Sequence, residues 1–247
     1  MIKFENVTKR YGDHIVLDNI SFEIPTGQFA ALIGTSGCGK TTSLQMINRL
    51  IDSETGDIYI DDKNVKDFNP VELRRQIGYV IQEIGLFPHM TIKQNIEIVP
   101  KMLKWEKGKI NERTVELMKM VHMPLEVLDR YPSSLSGGQQ QRIGLLRALA
   151  ADAPIILMDE PFGALDPITR NNLQNDMKDL QNKLKKTIIF VTHDMDEAIK
   201  IADIIVLMNE GSIVQMGTAK ELIEKPESEF VTDFFRNAGV KTQEDGE

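Results

Sequence analysis

Several things are scarce in this sequence, and each scarcity removes a class of function. There is one cysteine, Cys38, which rules out an internal disulfide and fits a reducing compartment. No apolar run approaches the roughly 18 to 20 residues that span a bilayer. The opening MIKFENVTKRYG also lacks the apolar core of a secretory signal. If the protein works at a membrane, another component must hold it there. Basic residues are outnumbered, 29 Lys and Arg against 37 Asp and Glu, for a net charge of −8. Duplex binding draws its affinity from clustered Lys and Arg on phosphates, so nucleic acid is disfavoured as a partner. What is present, 247 residues of which 41% are hydrophobic, suffices for a sizeable core in one domain with a smaller lobe.

Along the chain, strands and helices alternate. Residues 2–11 and 15–24 read as β-rich runs around the turn Gly12-Asp13, and QFAALIG (28–34) as a buried strand ending in glycine. KTTSLQMINRL reads as a helix with Leu44, Ile47 and Ile51 on one face, and TGDIYIDDKNV as a hairpin. From about 89 to 153 the pattern is mostly helical, with Val115, Met118 and Val121 at helical spacing, which predicts a helical lobe inserted in an α/β core. IILMDE (155–160) returns to strand. A helix follows with the stripe Leu173, Met177, Leu180 and Leu184, then strands TIIFVTHD (187–194) and IADIIVLMNEG (201–211) with a helix at DMDEAIKIA between them. The order predicts an α/β fold with a mostly parallel, doubly wound sheet.

GTSGCGKT (34–41) fits Gly-x-x-x-x-Gly-Lys-Ser/Thr and sits between an apolar strand and a helix, where a phosphate loop belongs. Gly34, Gly37 and Gly39 let backbone wrap phosphate oxygens, and the helix start adds its dipole. Lys40 is expected to reach the β- and γ-phosphates, and the Thr41 hydroxyl to ligate Mg2+ shared with the nucleotide. Cys38 in this loop has two readings, a thiol activated beside the helix start or a tolerated filler.

The strand IILMDE delivers Asp159 and Glu160 to the C-terminal edge of a parallel sheet, where such folds bind ligands. Asp159 is expected in the metal shell, and Glu160 beside the water that attacks the γ-phosphate. His193 ends another strand at a similar edge, and Gln82 interrupts the apolar run IGYVIQEIGLFPH. YPSSLSGGQQQRIG (131–144) places Ser136, Gly137, Gly138 and Gln139 at a helix start with a favourable cap, yet supplies neither a lysine nor a metal-binding carboxylate.

Taken in order, the phosphate loop, Gln82, LSGGQ at 135–139, IILMDE, ALD at 164–166 and His193 resemble the nucleotide-binding subunit of an ATP-binding cassette (ABC) transporter, from Phe4 to about Gly217. The resemblance implies a P-loop NTPase fold with a RecA-like core, an N-terminal antiparallel β subdomain and an inserted helical signature subdomain over 88–153. It implies ATP with Mg2+ as cofactors. Tyr11 would stack on adenine, and Gly34, Thr35, Ser36, Gly37, Cys38, Gly39, Lys40, Thr41 and Thr42 would hold the phosphates. Gln82 would sense γ-phosphate and metal, with Thr41 and Asp159 as metal partners, Glu160 as catalytic base and His193 contacting the γ-phosphate. Ser136, Gly137, Gly138 and Gln139 would complete the ATP site of a second copy, with Asp166 at the seam.

INRLIDSETGDIYI, IGYVIQEIGLFPHMTI and DEPFGALDPITR are similar to the importers of quaternary amines such as glycine betaine, carnitine or choline. That resemblance implies ATP hydrolysis coupled to uptake, transmembrane permease subunits as partners, an extracytoplasmic binding protein acting indirectly, and a place on the cytoplasmic face of the membrane. The permease would dock near 82–96, where Phe87, Pro88 and His89 look exposed; ordinary core is the alternative reading of the apolar residues in that stretch. Many members of the group carry C-terminal regulatory repeats, whereas residues 237–247 read as a polar tail after a cassette of 1–236. An importer ATPase for another small solute, such as an amino acid, is the alternative. ATPases acting on DNA carry long heptad coiled coils, and ribosome-associated relatives usually carry two cassettes; neither feature occurs here.

Overall fold

The computed structural model describes residues 1–81, 85–163, 165–237 and 239. The chain packs as two compact units, one formed by Met1–Arg74 with the stretch from Lys185 onward, the other by Arg75–Leu184.

The first unit begins with strands β1 (Ile2–Tyr11) and β2 (His14–Ile24), then β3 (Phe29–Gly34), helix α1 (Lys40–Ile47) and strands β4 (Thr55–Ile60) and β5 (Lys63–Asn64). β1 pairs antiparallel with β2 and with β4, and β4 with β5, which gives the expected small antiparallel sheet. Alternation buries Ile2 and Phe4 of β1 opposite Ile24 and Phe22 of β2, and after a register shift Val7 is buried opposite Ile20. Phe4 and Phe22, opposite one another in register, stack at 4.4 Å. Helix α2 (Pro70–Arg75) closes this half of the unit.

All six residues of β3 are buried, as an apolar run covered on both faces must be. The later elements of this unit are β8 (Thr187–Val191), α7 (Met195–Ile201), β9 (Ile204–Asn209), β10 (Ser212–Gly217), α8 (Ala219–Glu224) and α9 (Glu229–Asn237). β8 and β9 flank β3, both parallel to it, and β10 adds to β9 antiparallel. Phe29 and Phe190 meet edge to face at 5.3 Å across this sheet.

In the second unit, β6 (Ile77–Val80) runs parallel to β7 (Ile155–Asp159), with Val80 opposite Met158. Its helices are α3 (Ile92–Met102), α4 (Lys107–Met120), α5 (Gly137–Leu149) and α6 (Pro167–Leu184). α3 packs on α5 and on α4. The α4 stripe is carried by Ile110, Thr114, Leu117 and Met118, continued by Val121, while Val115 is only half-buried. In α6, Leu173, Met177 and Leu180 are buried as expected and Leu184 is half-buried. At Gly78 an added Cβ would lie 2.4 Å from the Ala148 carbonyl, so glycine is what lets β6 pack backbone to backbone on the end of α5.

The strand expected over 201–211 is shorter, since Ile201 still belongs to α7 and β9 covers Ile204–Asn209; two other element ends also depart from expectation. α1 stops at Ile47, with Asn48 at its C-cap and Arg49 left-handed at φ +54°, so Ile51 lies beyond the helix. β8 stops at Val191, because side-chain hydrogen bonds take Thr192 and Asp194 into a turn. Among the described residues no helix is long and apolar enough to cross a membrane.

Candidate functional site

In the first unit, the loop after β3 leads into α1 through two glycines that nothing larger could replace. Gly34 has φ +143° and an added Cβ would fall 1.9 Å from the Met208 carbonyl; Gly39 has φ +99° and would strike Leu17 at 2.3 Å. α1 has no side-chain cap and no acidic residue in its first turn, so neither a capping side chain nor a local carboxylate competes with an anion there. Lys40 is buried, and its Nζ donates to the carbonyls of Gly34 (3.0 Å) and Thr35 (2.8 Å). Carbonyl dipoles do not neutralise the ammonium, so the loop keeps a cation aimed at its own concave face.

The remaining loop residues divide by role. Thr35 donates through its hydroxyl to Asn209 at 2.9 Å, fixing the loop to the end of β9. Ser36 and Gly37 form the exposed tip, and Thr41 and Thr42 are half-buried on the first turn of α1. Cys38 is 2% exposed with its sulfur 3.7 Å from Lys40 Nζ, and this burial argues for the filler reading.

His193 is exposed two residues past β8. Its turn is pinned on both sides: the Thr192 hydroxyl donates to Glu197 at 2.6 Å and accepts from Asp194 N, while Asp194 caps α7. Because β8 is parallel to β3, with Val191 opposite Leu32, His193 and the phosphate loop leave the same sheet edge. Tyr11 ends β1 with half its surface exposed, and Lys9 Nζ sits 5.4 Å from its ring centroid.

In the second unit, Asp159 is the buried last residue of β7 and Glu160 follows it, half-buried and left-handed at φ +45°. A glutamate held there is a strained choice of the kind that gathers at functional sites. The Gly163 amide bonds the Glu160 carbonyl at 3.3 Å, closing the turn. Burial, reinforced by the charge of Asp159, pushes the Tyr79 phenol up to about 12. Gln82 and Ala164 lie outside the described residues.

Ser136 caps α5 in a reciprocal box: its hydroxyl accepts from Gln139 N at 3.3 Å and its own amide donates to Gln139 Oε1 at 3.0 Å. The Gln139 side chain is therefore occupied within the chain. Gly138 is tightly placed, its missing Cβ 3.2 Å from Thr169. Gly137 is different, since an added Cβ would meet nothing within 4 Å and its φ is not positive. Neither the conformation nor the packing of its own chain asks for glycine there. Asp166 caps α6 by accepting from Thr169 N at 3.0 Å, and the Thr169 hydrogen bonds hold its carboxyl below the usual range.

A family model described as ABC transporter matches residues 17–163, more than half of the chain. The chain belongs to the ABC transporter family. This ABC chain is 61% identical over 235 residues to the glycine betaine/carnitine/choline transport ATP-binding protein OpuCA of Bacillus subtilis (strain 168), covering 95% of this chain and 62% of that protein. It is 53% identical over 240 residues to the osmoprotectant import ATP-binding protein OsmV of Salmonella typhimurium, covering 95% and 63%. The chain thus spans about three fifths of the length of these curated relatives. Among solved structures it is similar to the dimeric post-hydrolysis state of the ATP-binding cassette MJ0796 bound to ADP and Pi, with a TM-score of 0.79 and 33% identity, covering 88% of this chain and 98% of that one. The α/β phosphate-loop NTPase class expected from the sequence is the fold of this ABC chain.

Three residues near the site were not singled out by sequence. Gln141, 3% exposed, donates from Nε2 to the Pro161 carbonyl at 2.8 Å. Its spacing with buried Leu145 and Ala148 marks it as a polar residue on an inward face, which is the signal that could have found it. Asn95 and Arg147 hold the loop after β6 and gave no such local signal.

Proposed function

We propose that the chain is the ATP-hydrolysing subunit of a bacterial importer that takes up a quaternary-amine osmoprotectant, glycine betaine, carnitine or choline. The observation that carries the catalytic half is the Gly34–Thr41 loop, where two obligatory glycines and the uncompensated Lys40 ammonium form a phosphate cradle at the start of α1. The substrate class is supported by the 61% identity to the glycine betaine/carnitine/choline transport protein of Bacillus subtilis.

In this reading Lys40 and the loop amides bind the triphosphate, Tyr11 supports the adenine, and His193 donates to the γ-phosphate. Glu160 orients the attacking water and accepts its proton. Thr41, Gln82 and Asp159 offer hard oxygen donors, which suit Mg2+. Mg2+ keeps several ligands from phosphate and water, so a few protein oxygens suffice to hold it. When bound, Mg2+ supplies charge neutralisation on the phosphates.

The open space at Gly137 supports a second copy as partner, its ATP approaching the amides of Gly137 and Gly138 and the Ser136 hydroxyl. ATP binding then closes a two-fold dimer with Asp166 at the seam, and hydrolysis reopens it. A groove of about 560 Å3 lined by His89, Met90, Gln94, Ile98 and Met102, with Phe87 exposed beside it, supports docking of a permease helix. The permease would hold the subunit on the cytoplasmic face and connect it with an extracytoplasmic binding protein.

The test is uptake in a deletion strain at high osmolarity across several quaternary amines, with and without this chain. Restored uptake of at least one amine, lost again with Glu160→Gln, is expected. Restored uptake of an unrelated solute alone would contradict the substrate class.

A further inference from the structure

The loop at Gly85–Met90 is clamped from two helices. Asn95 of α3, wholly buried, accepts from Phe87 N at 2.8 Å and donates to the carbonyls of Phe87, Met90 and Thr91 at 3.1, 3.2 and 3.0 Å. This fixes the loop to α3 whatever α5 does. The second clamp comes from the far end of the signature helix. Arg147, in the last turn of α5, donates from Nη1 to the Gly85 carbonyl at 2.7 Å and lays its guanidinium 5.8 Å from the Phe87 ring centroid.

The Gly85 carbonyl stands on an exposed, left-handed residue where water would serve as well, so burial of the carbonyl does not demand the bond, although the half-buried Arg147 guanidinium gains a partner by it. Its value lies in the connection it makes. α5 is a 13-residue rod of about 20 Å, with Ser136 capping one end and Arg147 gripping the loop at the other. β6 reinforces that second end, because Gly78 brings its backbone against Ala148. A shift of the Ser136 end is therefore carried along one stiff element to Phe87.

We infer that Arg147 is a positioning residue which reports engagement of the α5 N-terminus to the loop bearing Phe87. The inference rests on the proposal that ATP of a second copy binds at Ser136 and Gly137.

The test is hydrogen–deuterium exchange on the full chain carrying Glu160→Gln, with and without Mg-ATP, following peptides over 85–91 and 136–141. In this parent, ATP is expected to slow exchange in both segments, the loop by about fivefold. Adding Arg147→Met should leave the slowing at 136–141 and abolish it at 85–91, while Arg147→Lys, which keeps the charge without the planar fork, restores it in part. A structural role alone would alter exchange of the loop equally with and without ATP, and that result overturns the inference. So does a loop that still responds in Arg147→Met. If ATP slows neither segment in the parent, the second-copy reading itself fails and takes this inference with it. Should Arg147→Met not fold, the same comparison with Arg147→Lys decides: an undiminished loop response contradicts the inference and a diminished one supports it.

Discussion

The side-chain amide of Gln141 donates to the carbonyl of Pro161 at 2.8 Å, joining the helix that Ser136 begins to the turn that follows Asp159 and Glu160. The two segments proposed to act on different ATP molecules are thus mechanically connected within one chain. Gln141→Leu keeps the volume but leaves the Pro161 carbonyl unsatisfied in a buried setting, at a cost of about 1 to 3 kcal/mol. Denaturant unfolding should show that loss. Steady-state kinetics should show kcat falling while nucleotide affinity, proposed to belong to the Gly34–Thr41 loop, stays the same.

Tyr79 reflects in its titration burial first and the charge of Asp159 second. Its folded pKa of about 12 exceeds the ordinary 10.0, so the unfolded chain loses its phenolic proton first as pH rises. The associated stability is fully present below about pH 10 and is lost as pH approaches 12. Tyrosinate absorbance should show a late step that disappears in Tyr79→Phe. In Asp159→Asn the step should move to lower pH by the part due to the charge and keep the part due to burial. An unmoved midpoint would separate Tyr79 from Asp159.

Lys40→Ala removes the ammonium that donates to the Gly34 and Thr35 carbonyls of the phosphate loop. A charge-assisted hydrogen bond contributes about 1.5 to 3 kcal/mol, so ATP affinity should fall roughly 10- to 150-fold. Equilibrium binding of a fluorescent ATP analogue measures this. Unchanged affinity would remove Lys40 from the triphosphate site.

Much of this was legible because the governing interactions are local. Strand, glycine spacing, lysine and hydroxyl lie within 13 residues for the phosphate loop, and β3, β7 and β8 announce themselves as buried apolar runs. The end of α1 was not legible, since a left-handed Arg49 stops it where no glycine or proline stands. The end of β8 was hidden because TIIFVTHD reads as one extended run until Thr192 bonds Glu197. Gln141 and Arg147 were hidden for another reason: their partners lie 20 and 62 residues away, and only folding brings them together.

Gly137→Asp separates binding by one copy from closure by two. Beyond the adjoining residues of its own helix, no described atom lies within 4 Å of an added Cβ, so the variant should fold with an unchanged Tm. ATP should bind each monomer with parental affinity, yet hydrolysis should fall to background, because the new carboxylate opposes an approaching γ-phosphate. Activity at the parental rate would mean that Gly137 faces no second nucleotide.

Whether two copies share their nucleotides is decided by size-exclusion chromatography of Glu160→Gln with and without Mg-ATP, alongside its hydrolysis rate. No turnover is expected, with an ATP-dependent shift from monomer to dimer that is reversed when ATP is removed and absent when Gly137→Asp is added. Steady hydrolysis by Glu160→Gln would contradict its role as base, and a monomer at saturating ATP would contradict the shared-nucleotide dimer.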